Sequence, residues 1–181
     1  MVTERKGDWI QTYTGRAFWP ADPRASEVSI QDIAHSLSKI CRFGGHCKWF
    51  YSVAQHSVLV SQVVPPKHAL AGLLHDATEA YVADMPRPVK RMLGAAYADM
   101  EQRVWEAICE RFQLPIELPA SVKLADNTML LAERAVLLGP TPDVPGAWGW
   151  AKGLEPADVE IQSITTYDAR KLFLERFTEL M

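Results

Sequence analysis

The feature that most constrains the fold is a histidine–aspartate doublet, His75-Asp76, at the end of the apolar stretch Ala69–Leu74. A helix this hydrophobic is buried in a folded protein. Burying a carboxylate beside an imidazole costs free energy unless both groups find partners. A metal ion is a suitable partner, because histidine nitrogen and aspartate oxygen are both common metal ligands. The doublet therefore predicts a metal site inside a helical core.

Two other polar residues, His56 and Asp126, lie on strongly apolar helical segments and can complete a ligand set. Each shares a helix face with hydrophobic residues: Val53, Val60 and Val63 beside His56, and Val122, Met129 and Leu130 beside Asp126. A single buried histidine or aspartate is more often a hydrogen-bonded core residue than a ligand. Three helices that each bring polar groups into one core favour a metal site instead. We therefore predict one metal ion bound by His56, His75, Asp76 and Asp126.

Length, composition and charge restrict the class of protein. A chain of 181 residues is most simply one domain, spanning residues 1–181. Neither Met1–Asp8 nor any other stretch has the apolar run of a signal peptide or a membrane span. The three cysteines form no CxxC pair, which favours free thiols in a reducing compartment: Cys41, Cys47 and Cys109. Since the net charge of −3 gives no general attraction to nucleic acid, we expect a cytoplasmic protein without membrane or nucleic-acid polymer partners.

Hydrophobic periodicity and turn residues predict a mainly α fold, a single-domain helical bundle with a small N-terminal β-hairpin. The hairpin is expected to pair residues 9–13 with residues 16–19. Six helices are expected at about residues 30–41, 52–65, 67–82, 93–112, 121–138 and 166–180. Pro86-Arg87-Pro88 ends the third helix, and residues 140–157, rich in Pro and Gly, form a surface loop or a lid. The last helix is expected to bury Leu172, Phe173, Phe177 and Leu180.

This pattern of histidines and aspartates resembles the HD-domain superfamily of metal-dependent phosphohydrolases, over most of the chain from about Arg42 to about Leu138. Five segments look like bacterial 5′-deoxynucleotidases and phage dATP triphosphohydrolases of the DatZ type: Arg42-Phe43, Gln55-His56-Ser57, His75-Asp76-Ala77-Thr78-Glu79-Ala80, Asp84-Met85-Pro86-Arg87-Pro88-Val89-Lys90 and Ala125-Asp126. The resemblance implies an HD-type bundle with a metal core at about residues 42–138. It also implies one divalent metal ion (Co, Mn, Zn, Mg or Ni) and a homo-oligomer, a dimer or larger.

The resemblance also implies roles for polar residues outside the ligand set. Glu79 would orient a water molecule or protonate the leaving oxygen, and a carboxyl with a raised pKa suits the second task. Asp84 resembles the family's supporting acid, which holds ligands or water in place. Arg42 presents a two-pronged contact to a phosphate and Lys90 a point charge. Arg87 is either a further phosphate contact or a solvated loop residue.

Recognition of the nucleobase is expected to involve aromatic residues. The family usually places a tryptophan after the phosphate-binding arginine, and here that position is Phe43. A phenyl ring can stack on a base but cannot donate a hydrogen bond as an indole does. Trp19, in the predicted hairpin, is a further candidate for the substrate pocket, although hairpin aromatics more often pack in the core.

The function implied by the resemblance is hydrolysis of a small-molecule deoxynucleotide. The first hypothesis is a dATP triphosphohydrolase that gives deoxyadenosine and triphosphate. The alternative is a 5′-deoxynucleotidase acting on deoxynucleoside monophosphates such as dAMP. A non-catalytic module for nucleotide sensing or partner binding is less favoured, because all four ligands and Glu79 are intact. A purely structural helical protein comes third, since it leaves the buried charges unexplained. A cyclic-dinucleotide phosphodiesterase is disfavoured, since the chain lacks the additional histidines for further metals.

Overall fold

The computed structural model describes residues 4–181, so the first three residues of the domain predicted at 1–181 lie outside the described part. Eight α-helices lie within that part: α1 Ile30–Leu37, α2 Val53–Val63, α3 Ala69–Leu74, α4 Glu79–Val82, α5 Arg87–Leu93, α6 Ala95–Phe112, α7 Ala120–Leu137 and α8 Thr166–Leu180. Two short antiparallel strands precede them: β1 Ile10–Gln11 and β2 Ala17–Phe18. The predicted mainly α fold with a small N-terminal hairpin is confirmed.

Polar and aromatic contacts attach the hairpin to the helices. At its turn, the Thr14 hydroxyl and backbone amide both donate to the Asp32 carboxylate of α1, at 2.9 and 2.7 Å. Phe18 on β2 is fully buried and stacks on Tyr81 of α4, with ring centroids 3.9 Å apart. The hairpin therefore covers one end of the helical core.

Helix α2 is the central helix, because it packs against α3, α7 and α8. The Ser52 hydroxyl caps it by accepting a hydrogen bond from the Gln55 amide at 3.2 Å, as the sequence predicts. Val53 and Val60 are fully buried beside His56, but Val63 at the helix end is 39% exposed. The predicted burial of Val63 is wrong, because at this end of α2 the neighbouring α3 packs against Ser61 and Val64, which are buried instead.

The single helix predicted at residues 67–82 is wrong, because the chain leaves α3 at Leu74 and starts α4 only at Glu79. Between them, backbone hydrogen bonds span three residues, from Ala77 to Leu74 and from Glu79 to Asp76, both at 3.0 Å. The Gly72 carbonyl, which a continuous α-helix would pair with the amide four residues later, accepts from the His75 ring at 2.7 Å. The doublet therefore sits in a tightened turn.

Helix α5 is absent from the sequence prediction, which took Pro86-Arg87-Pro88 as a helix end. Pro88 instead occupies the first turn of α5, where a missing amide hydrogen costs nothing. The break before it is made at Ala83, which has a φ of +68°, a conformation that costs a non-glycine residue free energy. The broken third helix and α5 together account for the two helices beyond the six predicted.

Helix α8 begins and ends where the sequence predicts, and Phe173 is fully buried. Leu172 is 44% exposed, so its predicted burial is wrong, because it lies on the outer face of α8. Residues 140–157 lack α-helix, as predicted, and contain one short 3₁₀ helix, Gly149–Ala151. The segment returns to the bundle where the Ala157 amide bonds the Thr128 carbonyl of α7 at 2.9 Å. Among the described helices, none is long and apolar enough to cross a membrane.

The contact between α2 and α3 depends on the absence of a side chain at Gly72. A Cβ atom at this position would lie 3.2 Å from the Ser61 Cα and 3.1 Å from a Val64 methyl group. We expect Gly72→Ala to lower the free energy of unfolding by about 1–3 kcal/mol, the usual cost of overpacking, reduced by the better helix propensity of alanine. Thermal unfolding measures the change. Gly139→Ala is the control, because a Cβ there meets nothing within 4 Å; equal melting temperatures for both variants would contradict the prediction.

Candidate metal centre

Two histidine rings face each other where α2 meets the end of α3. His56 projects from the middle of α2 and is fully buried, and His75 follows directly after α3. Their Nε2 atoms are 3.3 Å apart. Two nitrogens bound to one metal ion at about 2.1 Å are separated by about 3.0–3.4 Å in octahedral or tetrahedral geometry. The observed separation therefore fits two ligands of one metal ion.

The other nitrogen of each ring is held by an oxygen that can only accept. His56 Nδ1 lies 2.6 Å from the Glu133 carboxylate, and His75 Nδ1 lies 2.7 Å from the Gly72 carbonyl oxygen. Both Nδ1 atoms must therefore carry their hydrogens. In the neutral rings this leaves the Nε2 lone pairs, the ligand atoms, directed at each other. Such an arrangement is unfavourable without a cation between them.

Both predicted aspartate ligands reach the same point. Asp76 Oδ2 lies 3.3 Å from His75 Nε2 and 3.6 Å from His56 Nε2, and Asp126 Oδ1 lies 3.6 Å from His56 Nε2. The ligand atoms of His56, His75 and Asp126 all lie within 4.8 Å of one another. This cluster can hold a metal ion. The structure thus brings three of the four predicted ligands into one cluster, and it places the fourth, Asp76, beside both histidines.

The charges around the cluster favour a cation. Burial and the nearby Arg42 charge lower the pKa of His56, but Glu133 and Asp126 outweigh them and raise it to about 9. Burial raises the pKa of Asp126, but contact with His56 outweighs burial and holds this pKa well below its usual range. Asp126 therefore stays ionised, and the centre attracts positive charge on His56 even without metal.

Glu133, on α7, is a site residue that the sequence analysis missed. It is fully buried, and its two oxygens serve two partners. Oε1 accepts from His56 Nδ1, and Oε2 accepts from Arg42 Nε at 3.1 Å and pairs with Arg42 Nη2 at 2.9 Å. Glu133 lies seven residues after Asp126, two helical turns along the same face of α7. This seven-residue spacing from Asp126 is the sequence signal from which Glu133 could have been predicted as a site residue.

Arg42 lies in the cluster but is largely occupied. It starts a 3₁₀ turn, Arg42–Gly45, in which Phe43 and both glycines have positive φ angles. Glu133 binds two of its nitrogens, whereas Nη1 lies 3.6 Å from Asp76 Oδ2. Phe43 is half-buried, with its ring centroid 5.4 Å from the guanidinium carbon. Nη1 is therefore the part of Arg42 that lies nearest the doublet.

Glu79, the predicted catalytic acid, is 7% exposed, and its Oε2 has no hydrogen-bond partner among the described residues. Burial raises the pKa of Glu79 well above its usual range, and the neighbouring carboxylates of Asp76 and Asp84 raise it further. Burial likewise raises the pKa of half-buried Asp84, which Arg42 opposes. Glu79 can therefore carry a proton close to the doublet.

A cleft of about 620 Å³ opens beside the cluster. Its polar wall contains His75, Asp76, Glu79, Lys90 and Asp126. Its apolar lining contains Trp105, Ile116, Leu118 and Val122. This volume and mixture of polar and apolar groups are typical of sites for small molecules.

Of the other residues predicted to contact substrate, some lie near the metal-binding cluster and one does not. Lys90 lies in the cleft, where Nζ bonds Glu101 at 2.7 Å and lies 4.0 Å from Glu79. Arg87 lies at the same end, with Nη2 3.7 Å from Asp126 Oδ2. Trp19 is not brought to the cluster by its described contacts, which are with Trp9 and with Arg5.

Metal binding can be tested without a substrate. At a metal concentration 100 times the Kd, binding should stabilise the fold by about 2.7 kcal/mol, which raises the melting temperature. We expect Asp126→Ala to abolish most of this shift and to weaken Mn²⁺ binding by at least about 100-fold, since it removes a ligand. Glu101→Gln is the control, because Glu101 lies in the same cleft but bonds Lys90. A full thermal shift in Asp126→Ala would exclude this residue from the centre.

No protein-family model matches the chain. It is 40% identical over 173 residues to "Uncharacterized protein YfdR" of Escherichia coli (strain K12), covering 95% of each protein. It is also 37% identical over 129 residues to "Uncharacterized protein RCAP_rcc00048" of Rhodobacter capsulatus, covering 66% of each. The extent and identity of the first match show that the chain belongs to the family of YfdR.

Proposed function

We propose that this chain is an HD-type metal-dependent phosphohydrolase of deoxynucleotides, with dATP as the first candidate substrate. The observation that carries the proposal is the pairing, in one cleft, of a metal-binding cluster with a buried carboxyl group, Glu79, whose pKa is raised by burial. Hydrolysis of a phosphate ester requires both, since charge on the phosphate must be neutralised and the leaving oxygen needs a proton.

The residues that would hold the metal are His56, His75, Asp76 and Asp126. When bound, a divalent metal neutralises phosphate charge and lowers the pKa of a bound water molecule. Two imidazoles and two carboxylates suit Mn²⁺, Co²⁺, Ni²⁺ or Zn²⁺ better than Mg²⁺, which prefers oxygen ligands. Glu133 and the Gly72 carbonyl hold a hydrogen on each Nδ1 atom, so Nε2 is the atom of each ring that would bind the metal.

Glu79 is the proton donor in this proposal. Burial raises the pKa of the Glu79 carboxyl, so this group remains protonated at a higher pH than an exposed carboxyl group does. Its Oε2 is buried and has no hydrogen-bond partner among the described residues, which favours the protonated form that would supply the ester oxygen that leaves. Lys90, 4.0 Å from the other oxygen, then stabilises the carboxylate that remains.

Phosphate binding is proposed for the cations around the doublet. Arg42 Nη1 lies 3.6 Å from Asp76 Oδ2 and can contact the scissile phosphate, although Glu133 holds the rest of the guanidinium. Lys90 lines the cleft, and Lys123 joins it there with Nζ 2.9 Å from Asp126 Oδ2. A triphosphate requires more neutralisation than a monophosphate, and Lys90 and Lys123 would supply it by exchanging their present carboxylate partners, Glu101 and Asp126.

The alternative substrate is a deoxynucleoside monophosphate such as dAMP, which needs a single phosphate site beside the metal. The apolar lining of the cleft, which includes Trp105, Ile116 and Leu118, can accommodate the nucleoside in either case. A purely nucleotide-sensing module is less favoured, because a sensor has no need for the protonated Glu79 beside the cluster.

Glu79→Gln tests the proton donor. Glutamine keeps the shape of the side chain but cannot donate an acidic proton, so we expect kcat to fall by about 10² to 10⁴-fold with metal affinity unchanged. Glu110→Gln, on the exposed face of α6, is the matched control and should keep its full rate. A near-normal kcat for Glu79→Gln would remove this residue from the mechanism.

Product analysis tests the substrate. Purified protein is incubated with dATP, dAMP, dGTP and ATP in the presence of Mn²⁺ and, separately, with a chelator. We expect metal-dependent release of triphosphate and deoxyadenosine from dATP. Inorganic phosphate from dAMP, with dATP untouched, would select the monophosphatase. Absence of hydrolysis of all four by a metal-loaded protein would contradict the proposed activity, and equal rates on ATP and dATP would contradict selection of deoxyribose.

A further inference from the structure

We propose that Glu133 is a positioning residue that fixes the tautomer of His56 for metal binding and, with the same carboxylate, holds Arg42. The proposal rests on the metal site of the proposed function, but not on its substrate. Glu133 is joined to residues far along the chain, 77 positions from His56 and 91 from Arg42. It therefore links α7 to α2 and to the Arg42–Gly45 turn.

Burial makes these contacts obligatory. Glu133 has no exposed surface, and a buried carboxylate is costly unless charged or polar groups satisfy it. Oε2 receives Arg42 Nε at 3.1 Å and Nη2 at 2.9 Å, and Oε1 receives His56 Nδ1 at 2.6 Å. Because a 2.6 Å contact to a carboxylate oxygen requires a donor, Nδ1 keeps its hydrogen and Nε2 remains the ligand atom.

The two partners of Glu133 differ in what they can accept. The Arg42 guanidinium only donates, whereas His56 Nδ1 can either donate or accept. A carboxylate accepts on both oxygens and therefore satisfies Arg42 while leaving the hydrogen on Nδ1. A glutamine has a single acceptor oxygen, and it cannot serve both partners in this way.

Glu133→Gln should therefore reverse the tautomer of His56. Arg42 attracts the glutamine oxygen, so the amide NH₂ turns to His56 Nδ1, which can then only accept. The single hydrogen of the neutral ring then sits on Nε2. A metal ion can replace it only if Nδ1 takes up a hydrogen, and that hydrogen would face the donating amide NH₂, so metal binding is weakened. A double variant with Arg42→Met removes the competing donor, so the glutamine oxygen is free to turn back to Nδ1–H.

Mn²⁺ titration of four purified proteins tests this: wild type, Glu133→Gln, Arg42→Met and the double variant. Calorimetry gives each Kd, and thermal unfolding without metal verifies that each variant folds. We expect Glu133→Gln alone to weaken Mn²⁺ binding by about 10 to 100-fold, the usual effect of losing a residue that orients a ligand. In the Arg42→Met background, the same substitution should weaken binding much less.

The comparison of backgrounds separates orientation from charge. Loss of the Glu133 charge weakens Mn²⁺ binding whether residue 42 is arginine or methionine. Only the additional weakening that is seen when Arg42 is present reports the tautomer of His56. Equal weakening in both backgrounds, or an unchanged Kd in Glu133→Gln, would overturn the proposal. If Glu133→Gln alone does not fold, the remaining comparison is between Arg42→Met and the double variant. Much weaker Mn²⁺ binding by the double variant than by Arg42→Met would also overturn the proposal. Because no substrate is used, an inactive enzyme that still binds Mn²⁺ would refute the proposed activity and leave this test valid.

Discussion

Charged groups enclosed between α2, α3 and α7 impose the main physical constraint on this protein. His56 and Glu133 have no exposed surface, and Arg42 is 9% exposed. Removing such groups from water costs several kcal/mol for each ion, which only close pairing can offset. The pairing is close, with contacts of 2.6–3.1 Å from Glu133 to both partners. Each helix must therefore keep its position for any of these groups to remain satisfied.

The surroundings shift the pKa values of two carboxyl groups in the cleft in opposite directions. Contact with His56 holds the pKa of Asp126 well below its usual range, whereas burial and neighbouring carboxylates raise the pKa of Glu79. Hydrolytic enzymes commonly separate acid and base roles in this way, by giving similar side chains different surroundings. Asp126 belongs to the metal-binding cluster, and Glu79 lines the cleft beside it. This division is what connects the geometry to the proposed chemistry.

Elements marked by local signals could be predicted from the sequence. Ser52 and the following prolines delimit α2, and α8 has the predicted bounds, because caps and prolines act within one or two turns. The break after α3 could not be predicted, since no glycine or proline marks it. It is accompanied by the hydrogen bond from the His75 ring to the Gly72 carbonyl. Helix α5 was missed because a proline pair can start a helix as well as end one.

The same distinction applies to the candidate site. The four predicted ligands could be found because each is a polar residue on an apolar helix face, a pattern that the sequence alone displays. The structure places them close to the two histidine rings. Glu133 was missed because it precedes Arg134 and therefore resembles a charged surface residue in the sequence. Its actual partner, Arg42, is 91 residues away along the chain. Pairing over such a distance depends on the packed helices. Trp19 could not be placed from the sequence for the same reason, and it packs against Arg5 and Trp9.

The most direct measurement is the anomalous diffraction of Glu79→Gln crystals grown with Mn²⁺ and dATP. The slowed variant should retain intact nucleotide long enough to be observed. The account predicts one manganese peak, in contact with His56, His75, Asp76 and Asp126, and a phosphate oxygen of dATP beside it in the cleft. A manganese peak elsewhere, an empty cluster at millimolar Mn²⁺, or nucleotide bound away from the cluster would contradict it.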